Sequence, residues 1–362
     1  MISIKGVAVN PLGQKQFTDH LAPLASILGI PYLFHDEPEA RQTEHLYPDL
    51  KTIYLPHEEF NPEFLIAHFD CLFMSDQWNR QIFREKFLPL EKKYQKTMRN
   101  VHCPHGFSDK GFYLRGCAFE DICLVYGQNM LDLLGEWGVR NELENFVLCG
   151  NFRYAFYRKH KNFYDSYIDD AIFSQLPKNR PTILYAPTCL DLEESTSFFE
   201  AAPNLLKNLP DDYNMIVKPH PRLEQDDPAA YYQILSRFEG QENILFLTDM
   251  PLIYPLLNRI NIYIGDMSSI GYDFLAFNRP LFLLNQQKRD PGWDRGLFLF
   301  RCGISILPEN YSDLYQIMDR ELSSDEEKFS AIRNEIYRYT FCDQDPFDAL
   351  SKKIYQTISQ EK

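Results

Sequence analysis

Short apolar runs recur along this chain with amphipathic segments between them, and that alternation marks βαβ units and parallel sheets. In the first half the runs predict strands near 31–34 (PYLF), 52–55 (TIYL), 69–74 (FDCLFM), 100–103 (NVHC), 122–126 (ICLVY) and 146–149 (FVLC). Helical periodicity falls near 16–28, 79–97 and 128–137, and Pro89 is expected to bend or break the middle helix. The second half repeats the plan with strands near 182–186, 214–218, 244–247, 260–264, 280–284 and 303–306, and helices near 196–208, 228–238, 251–258, 269–277 and 310–322. The pattern predicts an α/β protein of two Rossmann-like doubly wound halves. The segment 151–180, which ends in PKNRP, reads as their connection, giving domains over 1–155 and 156–340. The remaining 341–362 reads as a helix that packs back on the first domain; Ser323 and Asp345 are candidate caps for the last two helices.

Composition narrows the function classes. Hydrophobic residues make up 44% and charged residues 24%, a balance that excludes a disordered chain. A formal net charge of −14 repels polyanions, so nucleic-acid binding is not expected as a main role. The opening MISIKGVAVNPLGQ has no basic segment followed by an apolar one, and no run approaches the roughly 18 apolar residues of a membrane span. The expected location is the cytoplasm. Eight scattered cysteines without a CxxC pair read as buried thiols, not as disulfides or a zinc site.

Two parallel-sheet domains are expected to face each other across a cleft lined by strand carboxyl ends, where ligands bind by default. Strand 214–218 runs into Lys218, Pro219, His220, Pro221 and Arg222. The two prolines hold the turn extended and aim His220, between two cations, at a place suited to phosphate oxygens. A surface-turn histidine is the plain alternative. Strand 260–264 turns through Gly265, Asp266, Ser268 and Ser269 into a helix whose start offers N–H groups and hydroxyls to a diphosphate, with Asp273 one turn on. Ordinary N-capping explains the same serines. Strand 182–186 presents Thr188 and Asp191. On the opposing half, strand 100–103 leads to His105, Gly106, Asp109 and Lys110; a neutral imidazole there suits proton removal near pH 7.

The other histidines show no ligand spacing, and HDEPEARQTEH (35–45) reads as a solvated loop. No GK[ST] phosphate loop, GxGxxG or GxSxG occurs, so kinase, dehydrogenase and α/β-hydrolase readings lose their main support.

Taken in order, HG-x-x-x-KG (105–111), G-N-x-R (150–153), ILYAPT (183–188), KPHP (218–221) and GD-x-SSIGYDFL-x-x-x-RP (265–280) resemble the CDP-glycerol glycerophosphotransferase family, the teichoic-acid primases and polymerases. The resemblance implies the GT-B fold and transfer of glycerol phosphate from CDP-glycerol to a hydroxyl of a membrane-linked acceptor, with release of CMP and no bound metal. It implies a general-base role for His105 and a diphosphate-holding role for His220. Ser268, Ser269 and Asp273 then lie at the donor phosphates and glycerol, and Arg153 stands near the domain junction. It also implies peripheral placement at the inner face of the membrane. KKYQKTMR (92–99) and FYRKHK (156–161) are the basic stretches that would touch it, against the plainer reading of solvated helix faces.

The chain departs from the family pattern at Pro104, Ser108, Ala155 and Leu190. Three readings therefore stand. The first is the glycerophosphotransferase. The second is a nucleotide-sugar glycosyltransferase or epimerase on the same scaffold, for which Asp109 and Asp191 are the available carboxylates. The third is a non-catalytic nucleotide-binding or protein-interaction member.

Overall fold

Strands that are apolar on both faces must lie in a sheet covered by helices on both sides. The computed structural model, which describes residues 4–11, 13–76 and 80–360, shows two such sheets, each in its own compact unit. Residues 1–3, and residue 79 of the predicted middle helix, lie outside the described residues.

The first unit takes in the chain up to Phe107, then Gly111–His160 and the chain from Tyr339 onward. Its strands are β1 (Gly6–Val9), β2 (Pro31–Phe34), β3 (Lys51–Tyr54), β4 (Cys71–Met74), β5 (Arg99–His102), β6 (Ile122–Val125) and β7 (Phe146–Leu148). They form a parallel sheet in the order β3-β2-β1-β4-β5-β6-β7. Alternate residues Val7, Val9, Leu33, Leu72 and Met74 meet Leu65, Ile66 and Phe87 in one core layer. Each such side chain contributes about 1.5–3 kcal/mol by leaving water. The chain's end is built into this unit: Asn129 donates to Thr340 Oγ1 at 2.9 Å, and Tyr355 in the helix Phe347–Ile358 donates its hydroxyl to the Leu28 carbonyl at 3.2 Å.

The second unit comprises Ser108–Lys110 and Lys161–Arg338. Its strands are β8 (Thr182–Ala186), β9 (Asn214–Val217), β10 (Ile244–Phe246), β11 (Ile262–Gly265), β12 (Leu281–Leu284) and β13 (Ile304–Ile306), parallel in the order β10-β9-β8-β11-β12-β13. Ile183, Tyr185, Met215, Val217, Ile264 and Phe282 pack there against Phe198, Leu205, Tyr231 and Leu314.

The structure departs from the sequence reading in several places. β1 is an interior strand of its sheet, yet GVAV is only four residues long and is followed at once by Asn-Pro, too little to stand out as a run. Residues 37–46, expected as a solvated loop, form the helix Glu37–Leu46: Asp36 caps the Glu39 N–H at 2.8 Å, and Ala40, Thr43 and Leu46 bury one face. The helix Arg80–Tyr94 runs unbroken through Pro89, which forfeits one backbone bond while the flanking turns persist. The connecting segment holds two helices, Phe152–Lys159 and Lys161–Ala171. Ser323 closes the helix Leu314–Leu322 from its C-terminal side, and the last helix starts after Pro346 while Asp345 pairs with Lys353.

Candidate functional site

In the second unit the strand order reverses between β8 and β11, so loops leave their carboxyl ends toward opposite faces and open a crevice. Asp266, just past β11, is fully buried there and acts as a clamp. Its Oδ1 accepts the Thr188 N–H at 2.8 Å, and its Oδ2 accepts both the N–H and the hydroxyl of Ser197 at 2.8 Å. Burial pushes the Asp266 carboxyl up to about 6, with the Ser197 bonds opposing. Lys110 donates to Thr188 Oγ1 at 2.8 Å and is ion-paired with Asp191, whose carboxylate also accepts from Ser195. Burial pushes Asp191 up, but Lys110 and Ser195 outweigh it and hold the carboxyl below its usual range.

The turn after β9 supplies the cations. Arg222 is exposed and braced by Asp226 at 3.5 Å, and Asp226 also accepts the Leu190 N–H at 3.1 Å, which ties this turn to the β8 loop. Burial raises the Cys189 thiol while the nearby charges of Lys110 and Arg222 pull it back, so both cations are felt at this loop. Lys218 and His220 are half-buried. The Arg222 N–H donates to His220 Nδ1 at 3.2 Å; in the neutral ring the proton therefore sits on Nε2, the state that can donate to a phosphate oxygen. Ser268 has the extended backbone of an N-cap without a side-chain capping bond, and Ser269 opens the short helix Ser269–Phe274 with partial exposure. At Gly265 a Cβ would lie 2.3 Å from the Tyr263 hydroxyl, so no larger residue fits there without displacement.

In the first unit His105 is half-buried, resting on Phe17 and Tyr113 at ring separations of 4.9 and 5.6 Å. Its Nδ1 lies 2.8 Å from the Ser75 carbonyl, which can only accept; the proton is thus on Nδ1, and Nε2 presents a lone pair. Burial lowers its pKa, the Ser75 bond opposing, so the ring is neutral at pH 7. Gly106 adopts φ of 112°, closed to ordinary side chains, and donates its N–H to Tyr126 at 3.2 Å.

The structure therefore brings Lys110, Thr188, Asp191 and Asp266 into one bonded set in the second unit, with Arg222 tied to the same loop through Asp226, while His105 and Gly106 belong to the first. Other predicted residues turn inward. Asp273 is buried and accepts from the Tyr254 hydroxyl at 2.7 Å. Arg153 is buried in an ion pair with Asp19 in the first unit. Asp109 is buried, accepting from Tyr272 at 2.6 Å, Arg295 at 2.8 Å and the Leu299 N–H at 3.0 Å. Ser197 and Asp226 were invisible as site residues in the sequence, since Ser197 acts through Asp266 and Asp226 ties Arg222 to the Leu190 N–H, both across distant loops. Asp76 had a visible signal at the end of the run FDCLFMSD: it follows β4, its Oδ1 has no hydrogen-bond partner among the described residues, and burial pushes it up to about 6. The basic stretches are largely occupied, Lys93 by Glu63, Lys96 by Asp70 at 3.0 Å and Lys159 by Asp49 at 3.5 Å.

Solved structures with the same fold cover almost the whole chain. Wall teichoic acid polymerase TagF aligns over 98% of this chain and 88% of its own, at 16% identity and a TM-score of 0.66. A histidine variant of TagF soaked with CDPG gives 98% and 88%, 15% identity and a TM-score of 0.61. UDP-GlcNAc 2-epimerase from Neisseria meningitidis, bound to UDP-GlcNAc, covers 98% and 99% at 12% identity and a TM-score of 0.57. These likenesses establish the fold class, two Rossmann-like parallel-sheet domains of the GT-B type. No curated protein matches the chain by sequence. The sequence model described as CDP-Glycerol:Poly(glycerophosphate) glycerophosphotransferase matches residues 156–358, more than half of the chain and nearly the whole second unit, and the chain belongs to that family of transferases.

Proposed function

We propose that the protein transfers glycerol phosphate from CDP-glycerol to an acceptor hydroxyl, releasing CMP. The observation that supports this reading is the β8–β11 switch point of the family-matched unit, where Lys110 and Arg222 both act on the β8 loop, His220 accepts the Arg222 N–H, and the Ser268–Ser269 turn follows β11. That is the charge a nucleoside diphosphate needs. Lys218, Arg222 and the Nε2–H of His220 stabilise the leaving nucleotide, and His105 Nε2 takes the proton of the attacking hydroxyl. The hydroxyl oxygen bonds to the glycerol-bearing phosphorus, the bridging P–O bond breaks, and its electron pair leaves with CMP. The cations neutralise the diphosphate, so the reaction needs no resident metal. The acceptor is a hydroxyl compound, lipid-linked by family analogy, and any membrane contact is peripheral.

His105→Ala and His220→Ala should each lower CMP release by about 10² or more, the usual worth of a general base or a transition-state donor. Near wild-type turnover in either variant would remove its assigned role. A donor screen by thermal shift tests the substrate: CDP-glycerol at 100 times its Kd should add about 2.7 kcal/mol. Stabilisation by UDP-sugars alone would favour the glycosyltransferase or epimerase reading. Donor binding without CMP release under any acceptor condition would favour the non-catalytic one. The epimerase reading is weakened by its carboxylates, since Asp109 is held by Tyr272, Arg295 and Leu299 and Asp191 by Lys110 and Ser195.

A further inference from the structure

A second pocket lies in the first unit, at the carboxyl ends of β1 and β2 and the loop that follows β3. It measures about 340 Å³ and is lined by Asn10, Tyr32, His35, Asp36, Glu39 and His57 among others. His35 follows β2 directly, where the sequence reading placed a solvated loop. Its ring stacks on His57 at 4.2 Å with planes 19° apart, and the edge of Phe60 closes on it at 4.6 Å. His35 Nδ1 lies 2.9 Å from the Leu55 carbonyl, so Nδ1 donates and Nε2 is left as an acceptor. Asn10 donates from Nδ2 to the Gln14 carbonyl at 2.9 Å, which holds its amide at the pocket wall.

The lining chemistry selects the ligand. Two carboxylates, Asp36 and Glu39, and no lysine or arginine among the described lining residues disfavour a phosphate. Flat imidazole and aromatic faces beside imidazole and carboxylate acceptors suit a ring or chain that carries several hydroxyls. The volume lies at the small end of ligand pockets, about 300–1,000 Å³, which is room for one sugar ring or a short polyol, and the acidic lining argues against a nucleotide's phosphate. The pocket shares a sheet edge with His105. In the order β2-β1-β4-β5 the two positions are three strand spacings apart, about 14 Å.

We propose that this pocket binds the neutral polyhydroxy portion, sugar or polyol, of the acceptor. A group held there reaches His105 only through further units, so the acceptor extends beyond one sugar. The word acceptor rests on the transferase reading; the affinity for neutral hydroxyl compounds does not.

The test is binding to the full chain without donor, followed by ligand-observed NMR. Methyl glycosides of neutral sugars, glycerol and ribitol are the positive probes, with inorganic phosphate and glycerol 3-phosphate as controls. At least one neutral probe should bind, and both His57→Ala and the near-isosteric Glu39→Gln should weaken it about tenfold, the loss of roughly one hydrogen bond. His57 is exposed, so its substitution spares the core. Failure of every neutral probe, preferential binding of phosphate, or equal affinity in both variants would overturn the proposal. A lipid-linked and a free glycoside compared in the same variants should lose affinity equally; a loss confined to the lipid-linked form would also overturn it. CDP-glycerol binding, followed separately by thermal shift, reports on the transferase reading alone.

Discussion

For His105, burial disfavours the imidazolium and the Ser75 carbonyl, bonded to Nδ1–H, favours it; burial prevails, so its pKa lies below 6.5. A general base must be unprotonated, and a lowered pKa extends the active form toward acid. The acid limb of kcat/KM for CMP release should therefore have its midpoint below 6.5, and a midpoint at or above that value would contradict the assignment. The HG pair at 105–106 was legible because glycine after histidine at a strand end is a sparse signal. The tautomer was not legible, since it depends on the carbonyl of Ser75, thirty residues away in the chain. The same holds for His220, although its partner, the Arg222 N–H, is only two residues on.

Among the elements of the second unit, Asp266 joins the carboxyl end of β11 to the loops after β8. Asp266→Ala would leave the Thr188 and Ser197 donors buried without an acceptor and should lower stability by at least about 2 kcal/mol in denaturant unfolding. Its folded pKa of about 6 exceeds the unfolded value near 3.9, so its titration contributes stability at low pH that is lost as pH rises through about 6. The loss in Asp266→Ala should accordingly be larger at pH 5 than at pH 8. Ser269→Ala, at a half-exposed position, should change stability by less than about 0.5 kcal/mol while weakening donor binding. If Ser269→Ala costs stability and spares the donor, the serine is a cap and nothing more.

The molecule as a whole carries a net charge of −14, so the local cations Lys218 and Arg222 must hold an anionic donor against an unfavourable background. Salt at about 0.15 M largely screens exposed charges more than about 8 Å apart, so it weakens the long-range repulsion more than the direct contacts. The proposed neutralisation of the diphosphate by side chains predicts that EDTA leaves CMP release unchanged; loss of activity restored by a divalent cation would show that a metal shares that task. Among the described residues no helix is long and apolar enough to cross a membrane.

Most strands, the two-sheet plan and the family motifs were legible because each is a local pattern: a run of apolar residues, a proline pair, a glycine beside a histidine. The chain alone thus determined the fold class and which loops carry polar residues at strand ends. Tertiary structure decided which way those residues face. Asp273 and Arg153, polar and well placed in sequence, turn inward because Tyr254 and Asp19 satisfy them there. His35, read as solvent-facing, stands at a strand end over a pocket because four residues of β1 complete the sheet beside it. A side chain's direction depends on which distant groups meet its hydrogen-bonding needs, and those meetings exist only once the sheets have formed.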